Sequence, residues 1–389
     1  EKKMMSFALL LAVPIVSSFQ PTIPNRYLLR FPSVVKLSAE RPSAATTSET
    51  EQPSPSEENL LEQSTLTLLE HINLNVPNHD YALDFYFGVL GCGLDSRTAV
   101  NLMDETDETF VEEGLVWPNC GANQFHLPIV DTGAQVLPGN IGLRYKSLVG
   151  LKERIMKVES TTTKSNRCFD SYKIVNDNRG ETIQIKDRYG NMFHCREGAE
   201  PLTQKYQQPI VKSSETDKYG DVVATKYGME IESECRGIDY IEFNCRIRTA
   251  QKIATFYESV FDATTTVIED QDQTVALIGL GDISPDGKAS QYMIFRETPG
   301  GLPTYDGHHI ALYVGDTKED FEVAFRNADM AGIVWVNPRF ADRVTTLEAA
   351  KSLNQFRFRN ILDIKTGEQI FQLEHEIRSV QHPSWPGKK

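Results

Sequence analysis

Three histidines sit in short stretches where apolar and polar residues alternate. In EHINLNV, residues 70–76, Ile72, Leu74 and Val76 share one face while His71, Asn73 and Asn75 share the other, the period of a half-buried strand. In NQFHLPIV, Phe125, Leu127 and Ile129 leave His126 beside Gln124 on the opposite face, and in NMFHCRE, Phe193 and Cys195 leave His194 opposite them. Neutral imidazoles bind Zn²⁺, Fe²⁺ and similar ions. A lone strand histidine serves as readily as a structural hydrogen-bonder, so the elements that carry the three decide whether they act together. Glu197 is out of phase with His194 and is not counted with it, and His79, where a helix begins, is expected at the surface.

Those elements recur. After the strand at 70–76, Tyr81, Leu83, Phe85, Tyr86, Val89 and Leu90 return at helical spacing, entered through Pro77, Asn78 and Asp80 and stopped at Gly91. The same strand-then-helix order opens IGLRYKSLVGLKERIMKV, IDYIEFNCRIRTAQKIATFYESVFDA and HHIALYVGDTKEDFEVAFRNADMAGI, and strand-like runs follow each helix. Each unit thus has one helix for several strands, which buries the helix on one side of a sheet and leaves the other side free.

A chain of 389 residues is long enough for two full cores. Its formal net charge of -14 and the lack of a Lys/Arg cluster argue against a nucleic-acid partner. Six scattered cysteines without a CxxC pair read as reduced core thiols. The opening stretch has a basic start, an apolar run from Phe7 to Val16 and small residues Ser17 and Ser18 before Phe19, the layout of a signal peptide over 1–18. Residues 19–58 have transit-peptide composition, and the two together resemble the bipartite plastid leader of diatoms and related algae. The expected location is the plastid stroma, with secretion as the alternative. No other segment is long and apolar enough to cross a membrane, so no membrane is expected to hold the mature form.

A strand opening with His, FYFGVLG in the next helix and a terminal strand introduced by DRYGN resemble the vicinal oxygen chelate superfamily of glyoxalase I, bleomycin-resistance and extradiol dioxygenase proteins. The resemblance implies an α+β fold of four βαβββ modules paired into two cup-shaped domains, at 65–198 and, degenerate, at 236–380, with a linker at 199–235 and a tail at 381–389. It implies a divalent metal, Zn or Fe first and Mn or Ni next, held by the first and last strands of each module. In the first domain those positions are His71, His126, His194 and Asn140, with Arg144, Gln124 and Asn73 beside them as candidates for substrate contacts. With no carboxylate in that set, glyoxalase chemistry lacks its base. The implied function is a plastid, metal-dependent isomerase or lyase acting on a small oxygen-chelating molecule. The alternatives are a non-catalytic small-molecule binder and a ring-cleaving dioxygenase, and a homodimer is compatible with any of them.

In the second domain the corresponding positions are Tyr240, Met293, His309 and, on the polar face of IFQLEHEI, Glu374 or Gln372. Only His309 and Glu374 are ordinary ligands, so this cup is expected to lack a metal. His375 falls on the apolar face and is expected in the core.

Overall fold

The structure is a computed structural model that describes residues 65–97, 115–131, 133–177, 180–198, 206, 208, 234–270 and 272–387. The leader and most of the expected linker lie outside them. Four modules follow one another. The first holds β1 (Leu66–Asn73), helix α1 (Asp80–Leu83) running on as a π-helical turn (Asp84–Val89), β2 (Gly93–Leu94), β3 (Leu115–Val116), β4 (Pro118–Cys120) and β5 (Asn123–Pro128). In the second are β6 (Gly139–Tyr145), α2 (Val149–Thr161), β7 (Phe169–Asp177), β8 (Gly180–Asp187) and β9 (Met192–Glu197). The third has β10 (Cys235–Arg246), α3 (Ala250–Phe261), β11 (Thr265–Asp270), β12 (Gln273–Ile283) and β13 (Ala289–Thr298). The fourth has β14 (His309–Val314), α4 (Lys318–Met330), α5 (Leu347–Leu353), β15 (Gln355–Leu362) and β16 (Gln369–Ser379).

Local chemistry explains the helices. Phe256, Tyr257, Val260 and Phe261 of α3 form a buried stripe at helical spacing, and the helix ends on Asp262 in the left-handed region. The α4 helix starts with a capping box, in which Thr317 and Asp320 satisfy each other's backbone N–H groups, and it buries Phe321, Ala324, Phe325 and Ala328. The six cysteines are free and buried. Among the described residues no helix is long and apolar enough to cross a membrane.

The strands form two eight-stranded sheets, ordered β15-β16-β14-β1-β5-β4-β2, with β3 on β5, and β11-β12-β13-β10-β6-β9-β8-β7. This is the α+β architecture of paired βαβββ modules, but the partners differ from the sequence expectation. The first strand of module one lies antiparallel to that of module four, and β6 lies antiparallel to β10. The sheets therefore unite residues from 66–128 with 309–379 and residues from 139–197 with 235–298, cutting across domains drawn at 65–198 and 236–380. Two glycines show why β6 accepts β10. A Cβ on Gly139 would come within 1.8 Å of the Glu242 carbonyl oxygen, and one on Gly142 within 2.2 Å of the Tyr240 ring. Only a strand without side chains at both places can approach so closely.

Candidate metal centre

In the first sheet the register lines polar residues into rows across the strands. Gln124, His71, Ala311, Glu376 and Arg357 face one another in turn across β5, β1, β14, β16 and β15, and the neighbouring row reads His126, Asn73, His309, Glu374. The methyl group of Ala311 leaves open the space between His71 and Glu376. The ligand atoms of His71, His309 and Glu376 all lie within 4.8 Å of one another, and all three residues are buried. His126 stacks on His71 with ring centroids 3.8 Å apart, and on its other side stacks on Trp117 at 4.9 Å. It is the half-buried imidazole next to the triad.

The lone pairs are arranged for a cation. The Nδ1–H of His71 donates to Glu70 at 3.1 Å, which leaves Nε2 as the acceptor atom, and this Nε2 has no hydrogen-bond partner. His309 Nδ1 also has none. Burial holds the imidazoles of His71, His126 and His309 well below their usual pKa, so they are neutral, the form that ligates. Burial raises the Glu376 carboxyl, but Arg378 and Arg357 beside it outweigh this and hold it ionised. Arg357 also reaches Asp342 and Glu374, and Arg378 bridges Glu376 to Glu70. Arg339 near Glu374 and Arg97 near Glu70 add further positive charge to this network, while His71, His309 and the ionised Glu376 bring their ligand atoms together. The residues present therefore fit a metal.

Glu70 reaches His71 because β1 is irregular between Leu69 and His71. Consecutive residues of a regular strand point to opposite faces, whereas a bulge brings neighbours together. Gln208 and Tyr313 also donate to Glu70, at 3.4 and 3.3 Å.

Several expected site residues lie elsewhere. His194 is on the second sheet, where its Nδ1 pairs with the Tyr240 hydroxyl at 2.9 Å, and Asn140 donates to Glu242 at 2.9 Å. Both are separated from His71 because module two pairs with module three. Arg144 is on the second sheet too, paired with Asp239. Gln124 accepts from His126 at 3.2 Å and donates to Asn119 and Asp95, and Asn73 donates to Asn75 at 3.1 Å. The metal-free second cup was expected to hold His309, which instead completes the triad with His71. Glu374 is turned to Asn337, at 2.8 and 2.9 Å, and to Arg357. The carboxylate of the cluster is Glu376, two residues on and of the same parity, a position the alternation allowed and the register selects. His79 is buried and bonds the Leu127 carbonyl oxygen at 2.8 Å. His375 is in the core, stacked on Phe358 at 4.1 Å and bonded to the Tyr257 hydroxyl at 2.7 Å.

No family model matches the chain, and no curated protein does. Among solved structures it is similar to a Bacillus subtilis protein provisionally named a dioxygenase, at 16% identity and TM-score 0.45 over 84% of this chain and 92% of that one. A glyoxalase I variant from Zea mays is similar at 12% identity and TM-score 0.41, over 80% and 92% of the two chains. FosX, the fosfomycin resistance protein of Listeria monocytogenes solved with Mn(II), is similar at 15% identity and TM-score 0.23, over 36% and 90%. These neighbours are proteins of the vicinal oxygen chelate superfamily.

Proposed function

We propose that the chain is a metal-dependent enzyme of the vicinal oxygen chelate type, acting on a small molecule that presents adjacent oxygens, with an oxygenase as the favoured reaction class. One observation carries this reading: His71, His309 and Glu376 form a buried set of two histidines and one carboxylate. Such a set on one face, with positions left open, suits non-haem Fe(II) and related ions. A bound ion would supply Lewis acidity to a substrate oxygen and, if redox-active, a means of using dioxygen. The side chains do the rest. Glu70 fixes the tautomer of His71, and Arg357 and Arg378 orient Glu376 by occupying both its oxygens. Those two contacts favour a fixed anionic ligand over the mobile base that the isomerase or lyase reading needs. His126 stands beside the triad with its Nε2–H given to Gln124, and the Trp117 and Phe340 rings, the latter 5.7 Å from the His309 ring centroid, wall the site with apolar surface.

The test is anaerobic reconstitution with Fe(II), Mn(II) or Zn(II), then oxygen uptake measured against a panel of catechols. Uptake with the iron or manganese form and none with zinc supports an oxygenase. Equal turnover with zinc, or conversion without oxygen, returns the reaction to the isomerase or lyase class. Delivery to a plastid belongs to the same proposal and rests on the leader composition of residues 1–58.

A further inference from the structure

His308 and His309 are adjacent and point to different places. His309 turns to His71, whereas His308 stacks on Phe243 of β10, ring centroids 6.1 Å apart and planes 14° apart. On that side a cavity of about 320 Å³ opens between the two sheets, outside the metal cup. Its mouth carries the exposed guanidinium of Arg246 from β10, and Val136, Leu302, Ile370 and Phe371 give it apolar walls.

The cavity has a fixed polar end. Asp306 accepts from the Val136 N–H at 2.7 Å, the His308 N–H at 3.1 Å and His308 Nδ1 at 2.6 Å. The Tyr305 hydroxyl donates to the His308 carbonyl oxygen at 2.6 Å and accepts from the Glu374 N–H at 3.0 Å, which pins the loop to β16. In the neutral ring that gives its Nδ1–H to Asp306, His308 Nε2 is an acceptor; the side chain is 3% exposed and this atom has no partner. A buried polar atom left unpaired is costly, so a ligand group that donates to it gains more than it would in water.

We propose that this cavity is a second small-molecule site, which takes a carboxylate with an apolar body and a hydroxyl: the carboxylate on Arg246, the body against Leu302 and Phe371, the hydroxyl donating to His308 Nε2. The Asp306 carboxylate at the polar end is taken up by three donors, so the anion is assigned to Arg246. Pockets of this size bind small ligands through an apolar wall and a few placed polar groups.

Isothermal titration of the metal-loaded full chain with hydroxyphenylpropanoate tests it, with the amide of that acid and phenylpropanoate as comparisons. The expected result is saturable binding, weakened ~10-fold or more in the amide and in Arg246→Gln, since a lost charge-assisted pair is worth about that factor. Phenylpropanoate should also bind less tightly. Leu302→Trp, which fills the cavity, should abolish binding while the melting temperature and metal content stay those of the parent. His71→Ala, which removes a metal ligand, should leave it intact, so the site stands or falls apart from the metal centre. Equal affinity for acid and amide would overturn the proposal, as would binding that survives Leu302→Trp, disappears with His71→Ala, or fails to saturate in the parent.

Discussion

The triad places its weight on a few atoms, and each can be tested alone. His71→Ala, His309→Ala and Glu376→Ala should each lower metal affinity by more than ~100-fold, beyond the ~10–100-fold typical of an outer partner. Glu70→Gln should cost ~10-fold, because an amide can accept from Nδ1 but brings no charge to hold the tautomer; competition with a chromogenic chelator reads both. His194 gives a prediction of a different kind. Burial, then the positive charges of Lys173 and Arg196, lower its pKa to about 4 in the folded chain, against ~6.5 unfolded. The unfolded chain therefore takes up this proton first as pH falls, and stability drops from about pH 6.5 to about 4 and then levels off. The contribution is on the order of 2 kcal/mol once the part exposure of the ring is allowed for. His194→Gln should shrink the loss of urea midpoint between pH 7 and pH 4; an unchanged loss would mean that His194 ionises alike in both states.

At the scale of elements, the alternation in EHINLNV and NQFHLPIV was enough to place His71 and His126 on polar faces, and the helical stripes of α3 and α4 were equally plain. The chain does not say which strand lies beside which. His194 satisfied the same alternation as His126 and ended on the other sheet, because the choice between β9 and β16 as the fourth strand of the cup depends on long-range pairing, to which a period of two is blind. Glu376 was passed over for the same reason: Glu374 and Glu376 share a face, and only the register against β14 shows that Glu376 is in line with His71. The bulge that brings Glu70 to His71 leaves no mark in the pattern. The pairing itself is open to test at Gly139, where a methyl group would meet backbone and not a flexible side-chain end. Gly139→Ala should destabilise the chain by about 3 kcal/mol or more, since overpacking against backbone cannot relax, whereas Gly180→Ala, with open space around it but φ +112, pays backbone strain alone, about 1–3 kcal/mol. A Gly139→Ala chain as stable as the parent by urea denaturation would contradict the close approach of β6 and β10.

For the whole molecule, the ligands come from opposite ends of the described chain, His71 on β1 and His309 and Glu376 on β14 and β16, so a bound ion ties module one to module four. Metal that binds only the folded chain stabilises it by about 2.7 kcal/mol at a free concentration of 100 times Kd, so chelation should lower the melting temperature in proportion. The proposed plastid location is tested with residues 1–58: fused to a fluorescent reporter in an alga with a secondary plastid, they should deliver it to the stroma, and Phe19→Ala should stop it short. Secretion of the intact fusion would sink the plastid assignment. The most direct measurement is the metal content of the chain purified without a histidine tag, by mass spectrometry, for the parent and for the His309→Ala, Glu376→Ala and His194→Ala variants. The parent and His194→Ala should carry near-stoichiometric divalent metal, and His309→Ala and Glu376→Ala should carry little. Metal lost with His194 and kept without His309 and Glu376 would contradict the site drawn from β1, β14 and β16.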